Sequence, residues 1–181
     1  FGVCEWLHQD GVQLIATDVR DETIQKAKDA FPDMKVVTPE KVFAAEADVF
    51  SPCAMGAQLN DNTIPQLNVS IVAGAANNQL QSDKHGQMLA NKNILYAPDY
   101  VVNAGGVITV CYEYIYRSGQ KNPFDHEITR ENMMKHVERI GGTLGEIFSM
   151  SEKQNILPGV AADRLAESIF QSSASKKQAR S

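Results

Sequence analysis

The sequence predicts an α/β fold, a doubly wound and mostly parallel sheet followed by C-terminal helices. Short runs rich in Val, Ile and Ala lack polar alternation, which is typical of parallel strands buried on both faces. Helical patterns alternate with several of these runs, and such alternation is characteristic of a doubly wound sheet. After about residue 129 the pattern becomes helical only.

The predicted elements follow one another at short intervals. The chain opens with the second half of a helix, in which Val3, Trp6 and Leu7 share one face and Gly11 suits the C-terminal cap. Strands are predicted at 12–18, 34–39, 48–54, 70–77 and 94–99. Helices are predicted at 21–31 and 82–92, with a short helical turn at 39–47.

The last third of the chain predicts two helices, at 129–155 and 159–171. Thr129 is a suitable N-cap, and Glu131 places a negative charge in the first turn, where the helix dipole favours it. We therefore expect a dinucleotide-binding-type domain at 1–128 with a loop at 119–127, helices at 129–171 that complete it, and a disordered polar tail at 172–181.

Composition excludes several classes of protein. The net charge of -5 argues against a nucleic-acid surface, which is normally basic. No apolar run approaches the roughly 18 residues of a membrane helix, so no membrane partner is expected. Cys4, Cys53 and Cys111 are odd in number and far apart, which favours reduced thiols, a cytoplasmic location and no metal site.

Asp18 ends the first predicted strand, immediately before a helix. In a dinucleotide-binding fold, an acid there accepts hydrogen bonds from ribose hydroxyls and disfavours a 2′-phosphate, which predicts NAD. The alternative is a solvated turn capped by Asp18, and Arg20 could itself meet a phosphate. No GxGxxG motif precedes Asp18. Since Phe1 falls within a helical pattern, we expect the chain to be N-terminally truncated just after that motif, without the first strand of the sheet.

Two further segments lie where predicted strands end, SPCA (51–54) and AGAANN (73–78). Ligands of open α/β sheets bind outside the carboxyl ends of the strands. Small residues there would let a cofactor approach the backbone, and Asn77 or Asn78 could hydrogen-bond an amide or a carboxylate. The alternative is tight packing combined with asparagine turn chemistry. The four histidines are interpreted as surface or structural residues.

The run from Asp18 to about Gln171 resembles the glutamate, leucine, phenylalanine and valine dehydrogenase family, and within it the leucine dehydrogenases most closely. The resemblance rests on the segments IATDVRDE, DVFSPCAMGAQLNDNTIPQL, IVAGAANNQL, HGQMLANKNILYAPDYVVNAGGVI and VAADRLAE. It implies that the chain is the C-terminal Rossmann domain of a two-domain, homo-oligomeric enzyme. The implied reaction is NAD-dependent, reversible oxidative deamination of an L-amino acid to a 2-oxo acid and ammonium.

The resemblance also assigns roles to residues. The family's catalytic lysine and aspartate belong to the other domain, so no catalytic residue is expected in this chain, which alone should be inactive. The implied cofactor-binding residues are Asp18, Val19, Cys53, Ala54, Ala75, Asn77 and Asn103. The implied substrate-binding residues are Asn103, Gly106, Val107 and Val110.

The resemblance also implies that a helix begins at Gly105 and Gly106. Val107 and Val110, spaced i, i+3, then share one face of that helix. Val110 indicates the substrate class. Glutamate-specific members need a polar residue at its position, and burying a carboxylate against valine is costly. L-leucine or a similar branched-chain amino acid therefore fits better. Two alternatives stay open: a relative that acts on phenylalanine or tryptophan, and a non-catalytic Rossmann module that binds a nucleotide or a partner.

Overall fold

The structure is a computed structural model that describes the backbone of residues 1–178 and the side chains of residues 1–171. Helices alternate with short strands in the first part of the chain, and helices follow one another in the second. In chain order the elements are α1 (Gly2–Gln9), β1 (Ile15–Ala16), α2 (Asp21–Ala30), β2 (Lys35–Val36), β3 (Val49–Phe50), a 3₁₀ helix (Ile64–Gln66), β4 (Ile71–Val72), α3 (Lys84–Asn91), β5 (Leu95–Tyr96), α4 (Asp99–Val102), α5 (Gly105–Ser118), α6 (Arg130–Gln154) and α7 (Pro158–Gln178).

All of the described strands pair in parallel, which confirms the predicted α/β class. β1 pairs with β2, with Ile15 opposite Lys35. β3, β4 and β5 form a second sheet in that order, with Ile71 opposite both Val49 and Leu95. The paired segments are two residues long, much shorter than the predicted runs.

Three apolar clusters hold these elements together. The largest surrounds β4, β5, α3 and the 3₁₀ helix, with Leu59, Val72 and Leu89 fully buried. A smaller cluster joins α2 to β1 and β2 through Ala27, Phe31 and Met34. The third joins α6 to α7 through Ile147, Ala161 and Ala162, and Val101 of α4 packs against it. α6 thereby packs against α4, α5 and α7.

A local sequence signal explains where α6 begins. Thr129 caps α6 as predicted, since its Oγ1 accepts the Asn132 N–H at 3.2 Å. The helical turn predicted at 39–47 is instead a series of turns, in which the Lys41 N–H donates to Thr38 O. α7 continues to Gln178, into the tail predicted at 172–181; the end of that segment, 179–181, lies outside the described residues.

Two histidines, His126 in the loop after α5 and His136 in α6, contact Tyr112 of α5. The buried Tyr112 hydroxyl lies 2.7 Å from His126 Nε2 and 3.4 Å from His136 Nδ1. Phe124 stacks on the Tyr112 ring and meets the His136 ring edge-on. Burial lowers the pKa of His136, and the positive charges of Arg139 and His126 lower it further. Both histidines are therefore structural, in agreement with the sequence interpretation.

This arrangement predicts an acid-sensitive packing of α5 on α6. Because the folded-state pKa of His136 is depressed, the unfolded chain binds its proton at a higher pH than the folded chain does. The contribution of His136 to folding stability should therefore be fully present above the ordinary histidine pKa of ~6.5 and should decline as the pH falls below it. Thermal melts on either side of that value should show the loss, and His136→Gln should reduce it. The exposed His8 provides the control, because His8→Gln should leave the acid dependence unchanged.

Candidate functional site

The loops after β3 and β4 lie against each other at the carboxyl ends of these two neighbouring strands. The Ala76 N–H donates to Pro52 O at 2.9 Å. Gly74 is buried so closely against Pro52 that a Cβ there would lie 2.3 Å from Pro52 O. Only glycine permits this approach, because real Cβ atoms essentially never come within 3.0 Å of another heavy atom. The contact fixes the position of the segment that leads to Asn77.

A second contact between the same loops involves two left-handed residues. Ala57 and Asn78 have φ angles of 57° and 53°, and the Ala57 N–H donates to Asn78 O at 2.7 Å. Asparagine tolerates this region well, whereas alanine occupies it at a cost of about 1 kcal/mol or more. Strain of this kind persists where surrounding contacts enforce it, often at ligand sites. Here it accompanies the hydrogen bond that joins the two loops.

Asn77 and Asn103 form the centre of the site. α4 ends at Val102, and Asn103 Nδ2 donates to Asn77 Oδ1 at 2.7 Å. The same amide lies 3.3 Å from Ala76 O and 3.5 Å from Ala75 O. Asn103 is half-buried while Asn77 and Ala75 are exposed, so the pair is open to a ligand. α5 starts two residues later, and its first N–H groups are free to bind one as well.

Three buried residues, Gln79, Asp99 and Tyr96, form hydrogen bonds that hold the backbone next to the Asn77–Asn103 pair. The Gln79 side chain is fully buried and donates to Gly74 O at 2.8 Å and to Ala76 O at 2.9 Å. Its backbone N–H donates to Asp99 Oδ2 at 3.3 Å, and the Tyr96 hydroxyl donates to Asp99 Oδ1 at 3.1 Å. Burial, and then the charge of Asp99, raise the pKa of Tyr96 well above its usual range. The hydroxyl therefore remains a donor at neutral pH.

Asp18 and Val19 follow β1, in the two-stranded sheet. The Asp18 carboxylate is partly exposed, and its Oδ1 accepts the Arg20 N–H at 2.9 Å. The Arg20 guanidinium turns back towards the same oxygen, with Nε at 3.6 Å. The acid therefore has its second oxygen free of these contacts, and Val19 is exposed beside it. This geometry suits a carboxylate that accepts from a hydroxyl group.

α5 presents an apolar face to solvent next to Asn103. Val107 and Val110 are 74% and 64% exposed, and Cys111 and Tyr114 extend the same face at helical spacing. On the opposite face, Tyr112 is buried against Asn132 and His136 of α6. The predicted pair at i, i+3 is thus accessible on one side of a helix. Gly106 is exposed at its start, with open space around it.

The structure brings together some of the predicted residues. Asn103 contacts Ala75 and Asn77, the exposed Cys53 and Ala54 follow Pro52 directly in the adjoining loop, and α5 begins two residues after Asn103. The supporting residues Tyr96, Gln79 and Asp99 were not predicted. Gln79 is 20 positions from Asp99, so no local spacing relates them. Gln79 directly precedes Leu80 at the end of the segment AGAANNQL. That position next to an apolar residue is the one sequence signal that could have indicated its burial.

The described residues contain neither a membrane-spanning helix nor a cluster of metal-ligating side chains. No helix among them is long and apolar enough to cross a membrane. No group of three or more His, Cys, Asp or Glu side chains within that part of the chain could hold a metal ion.

Fold and site together define a class of protein. Parallel strands alternate with helices, and polar and small residues meet at the carboxyl ends of the strands, which is where α/β proteins bind their ligands. The chain belongs to the Glutamate/Leucine/Phenylalanine/Valine dehydrogenase family, whose model matches residues 7–167.

Its relatives include amino-acid dehydrogenases of several specificities. Leucine dehydrogenase of Bacillus cereus is 42% identical over 167 residues, which are 92% of this chain and 42% of the relative. L-tryptophan dehydrogenase of Nostoc punctiforme is 43% identical over 176 residues, covering 97% of this chain and 46% of the relative. This chain thus spans less than half the length of these relatives.

Solved structures show the same fold. The crystal structure of L-tryptophan dehydrogenase from Nostoc punctiforme matches with a TM-score of 0.84 at 42% identity, over 95% of this chain and 49% of that one. The hetero-hexameric glutamate dehydrogenase of Thermus thermophilus matches with a TM-score of 0.58 at 16% identity, over 88% and 47% of the two chains. The second likeness concerns the fold alone.

Proposed function

We propose that this chain is the NAD-binding part of an enzyme that oxidatively deaminates L-leucine or a similar branched-chain amino acid, reversibly, to the 2-oxo acid and ammonium. The observation that carries the proposal is the Asn77–Asn103 pair, 2.7 Å apart, at the start of a helix whose exposed face bears Val107 and Val110. Polar donors thus adjoin an apolar surface, as an amino acid with an aliphatic side chain requires.

The residues at the strand ends fit a dinucleotide. Cys53, Ala54 and Ala75 are small and exposed, so they leave the backbone accessible to an extended ligand. Asp18 offers a partly exposed carboxylate for ribose hydroxyls, and its charge disfavours a 2′-phosphate. Bound NAD would supply the hydride acceptor. Asn103 and Asn77 would orient the nicotinamide and the substrate, while Gly106 would let the α5 backbone approach them.

The finer architecture follows from the same proposal. Residues 1–128 would form a doubly wound Rossmann domain, completed by the helices at 129–171. A further strand would lie between β1 and β3, which would join the two parallel sheets into one. The catalytic lysine and aspartate would belong to a preceding domain. The free cysteines favour the cytoplasm, and the whole protein would be a homo-oligomer.

An aromatic amino acid is the second candidate substrate. The L-tryptophan dehydrogenase of Nostoc punctiforme matches more of this chain than the leucine dehydrogenase of Bacillus cereus does, at similar identity. A wide apolar face such as that of α5 would also accept a ring. Apolar pockets separate such substrates by about 1–3 kcal/mol per methylene-sized difference, so pocket shape decides between them.

A substrate panel tests the proposal and predicts a specific variant. The intact protein that contains this chain should oxidise L-leucine with NAD at a higher kcat/KM than L-glutamate, L-phenylalanine or L-tryptophan. Val110→Ser should lower kcat/KM for leucine about tenfold, because an unpaired hydroxyl would adjoin the apolar side chain. Val160→Ser, at an exposed position on α7, provides the matched control and should leave it unchanged. Preference for L-glutamate, or strict dependence on NADP, would show that the roles of Val110 or Asp18 are wrong.

A further inference from the structure

Gln79 is placed unfavourably if folding stability alone is considered. Its side chain is fully buried, and its Oε1 has no hydrogen-bond partner in the structure. An unpaired buried acceptor is destabilising, and an apolar residue of the same size would avoid it. A fully buried glutamine at this position therefore calls for an explanation in terms of the groups to which it donates.

Those groups belong to the candidate site. Gln79 Nε2 donates to Gly74 O and Ala76 O, the carbonyls that flank Ala75. Ala76 O also lies 3.3 Å from Asn103 Nδ2, so this one carbonyl oxygen accepts hydrogen bonds from the side-chain amides of both Gln79 and Asn103. Asn103 in turn donates to Asn77 Oδ1. A continuous set of hydrogen bonds thus runs from the buried Gln79 to the exposed asparagine pair.

Asp99 and Tyr96 anchor the other end of this set. Asp99 accepts from the Gln79 N–H and from the Tyr96 hydroxyl, and its own N–H lies 3.3 Å from that hydroxyl. Tyr96 is itself held at the end of β5, within the largest apolar cluster. The loop after β4 is thereby tied to the rigid end of the neighbouring strand.

We infer that Gln79 is a positioning residue, which holds the Ala75–Ala76 backbone so that Asn77 and Asn103 present their amides to the reacting groups, with Asp99 and Tyr96 as its anchor. The inference rests on the proposed function. It extends the site to three residues that do not touch the ligand themselves. A displacement of about 1 Å in such a site can lower turnover ~10²-fold, which sets the expected effect.

The test compares Gln79→Met with Gln87→Met in the intact protein. Methionine resembles glutamine in length and cannot donate, and Gln87 is an exposed glutamine of α3 that bonds only locally to Asn91. Gln79→Met should lower kcat for amino-acid oxidation ~10²-fold while the Kd for NAD changes less than about threefold. Its crystal structure should show Asn103 Nδ2 out of hydrogen-bond reach of Asn77 Oδ1. Gln87→Met should alter neither quantity.

Each alternative result has a definite meaning. Unchanged kcat in Gln79→Met, or an unchanged Asn77–Asn103 contact, overturns the inference, and so does an equal loss in Gln87→Met. If Gln79→Met fails to fold, Tyr96→Phe decides between the outcomes, since it removes only the hydroxyl. A lower kcat of Tyr96→Phe with the same NAD affinity supports the inference. Wild-type kinetics of Tyr96→Phe overturn it. A wild-type protein that oxidises no amino acid refutes the proposed function instead, and the variant's crystal structure still decides the role of Gln79.

Discussion

Gly74→Ala should destabilise the protein by about 3 kcal/mol or more, at the upper end of what overpacking a well-packed site costs. A Cβ at this position would lie 2.3 Å from Pro52 O and 2.5 Å from Pro52 N, and both atoms belong to the backbone. Neither can move aside as the end of a flexible side chain could. The loops after β3 and β4 would have to separate, breaking the hydrogen bond from the Ala76 N–H to Pro52 O. Denaturant unfolding of the intact protein measures the loss.

Gly86→Ala is the matched control for this change. Gly86 lies in α3, and a Cβ there would meet its nearest atoms, in Leu157 and Leu80, at an ordinary 3.7 Å. Alanine within a helix is favoured over glycine by about 0.8–1 kcal/mol, so this variant should be as stable as the wild type or more so. Equal stabilities for the two variants would mean that the approach of Gly74 to Pro52 does not constrain the fold.

Asn103→Asp should abolish most turnover with little change in the shape of the side chain. The Asn103 amide nitrogen faces three oxygens, those of Asn77, Ala75 and Ala76. A carboxylate would place a fourth oxygen among them and would remove the donor that joins the two loops. Removing a positioned donor from an active site typically costs ~10²–10³ in kcat, and we expect a loss in this range.

The same substitution at Asn93 controls for the added charge. Asn93 is exposed in the turn before β5, where its left-handed backbone suits aspartate as well as asparagine. Asn93→Asp should keep wild-type kcat and KM in the amino-acid oxidation assay. If Asn103→Asp also retained them, Asn103 would have no role at the reacting centre.

The sequence predicted those parts of the fold that depend on neighbours along the chain. The start of α6 was correct because Thr129 is a capping residue followed by apolar residues at helical spacing. The shared face of Val107 and Val110 was correct because a helix starting at the glycine pair fixes the direction of residues three apart. The resemblance assigned Asn77 and Asn103 to the same cofactor-binding group, but it did not predict their direct contact, since 26 residues separate the two.

What the sequence did not predict depends on contacts across the fold. α4 was missed because Val101 and Val102 are β-branched and favour a strand by propensity, whereas the chain forms one helical turn in which the Val102 N–H donates to Pro98 O. The Gln79–Asp99 pair was missed because a buried polar pair leaves no periodic pattern. Trp6 lies on the predicted apolar face of α1 yet is 72% exposed, so periodicity identified a face but not what covers it.

The unequal sizes of the apolar clusters have a consequence for hydrogen exchange. The cluster under β1, α2 and β2 has three buried residues, against seven in the cluster under β4, β5 and α3. Segments with few buried apolar contacts open at lower free energy than the global transition. The amides around Asp18 should therefore exchange with solvent sooner than those around Gln79. The ribose of a bound nucleotide would then contact the less stable cooperative unit, and binding would raise the protection of that unit most.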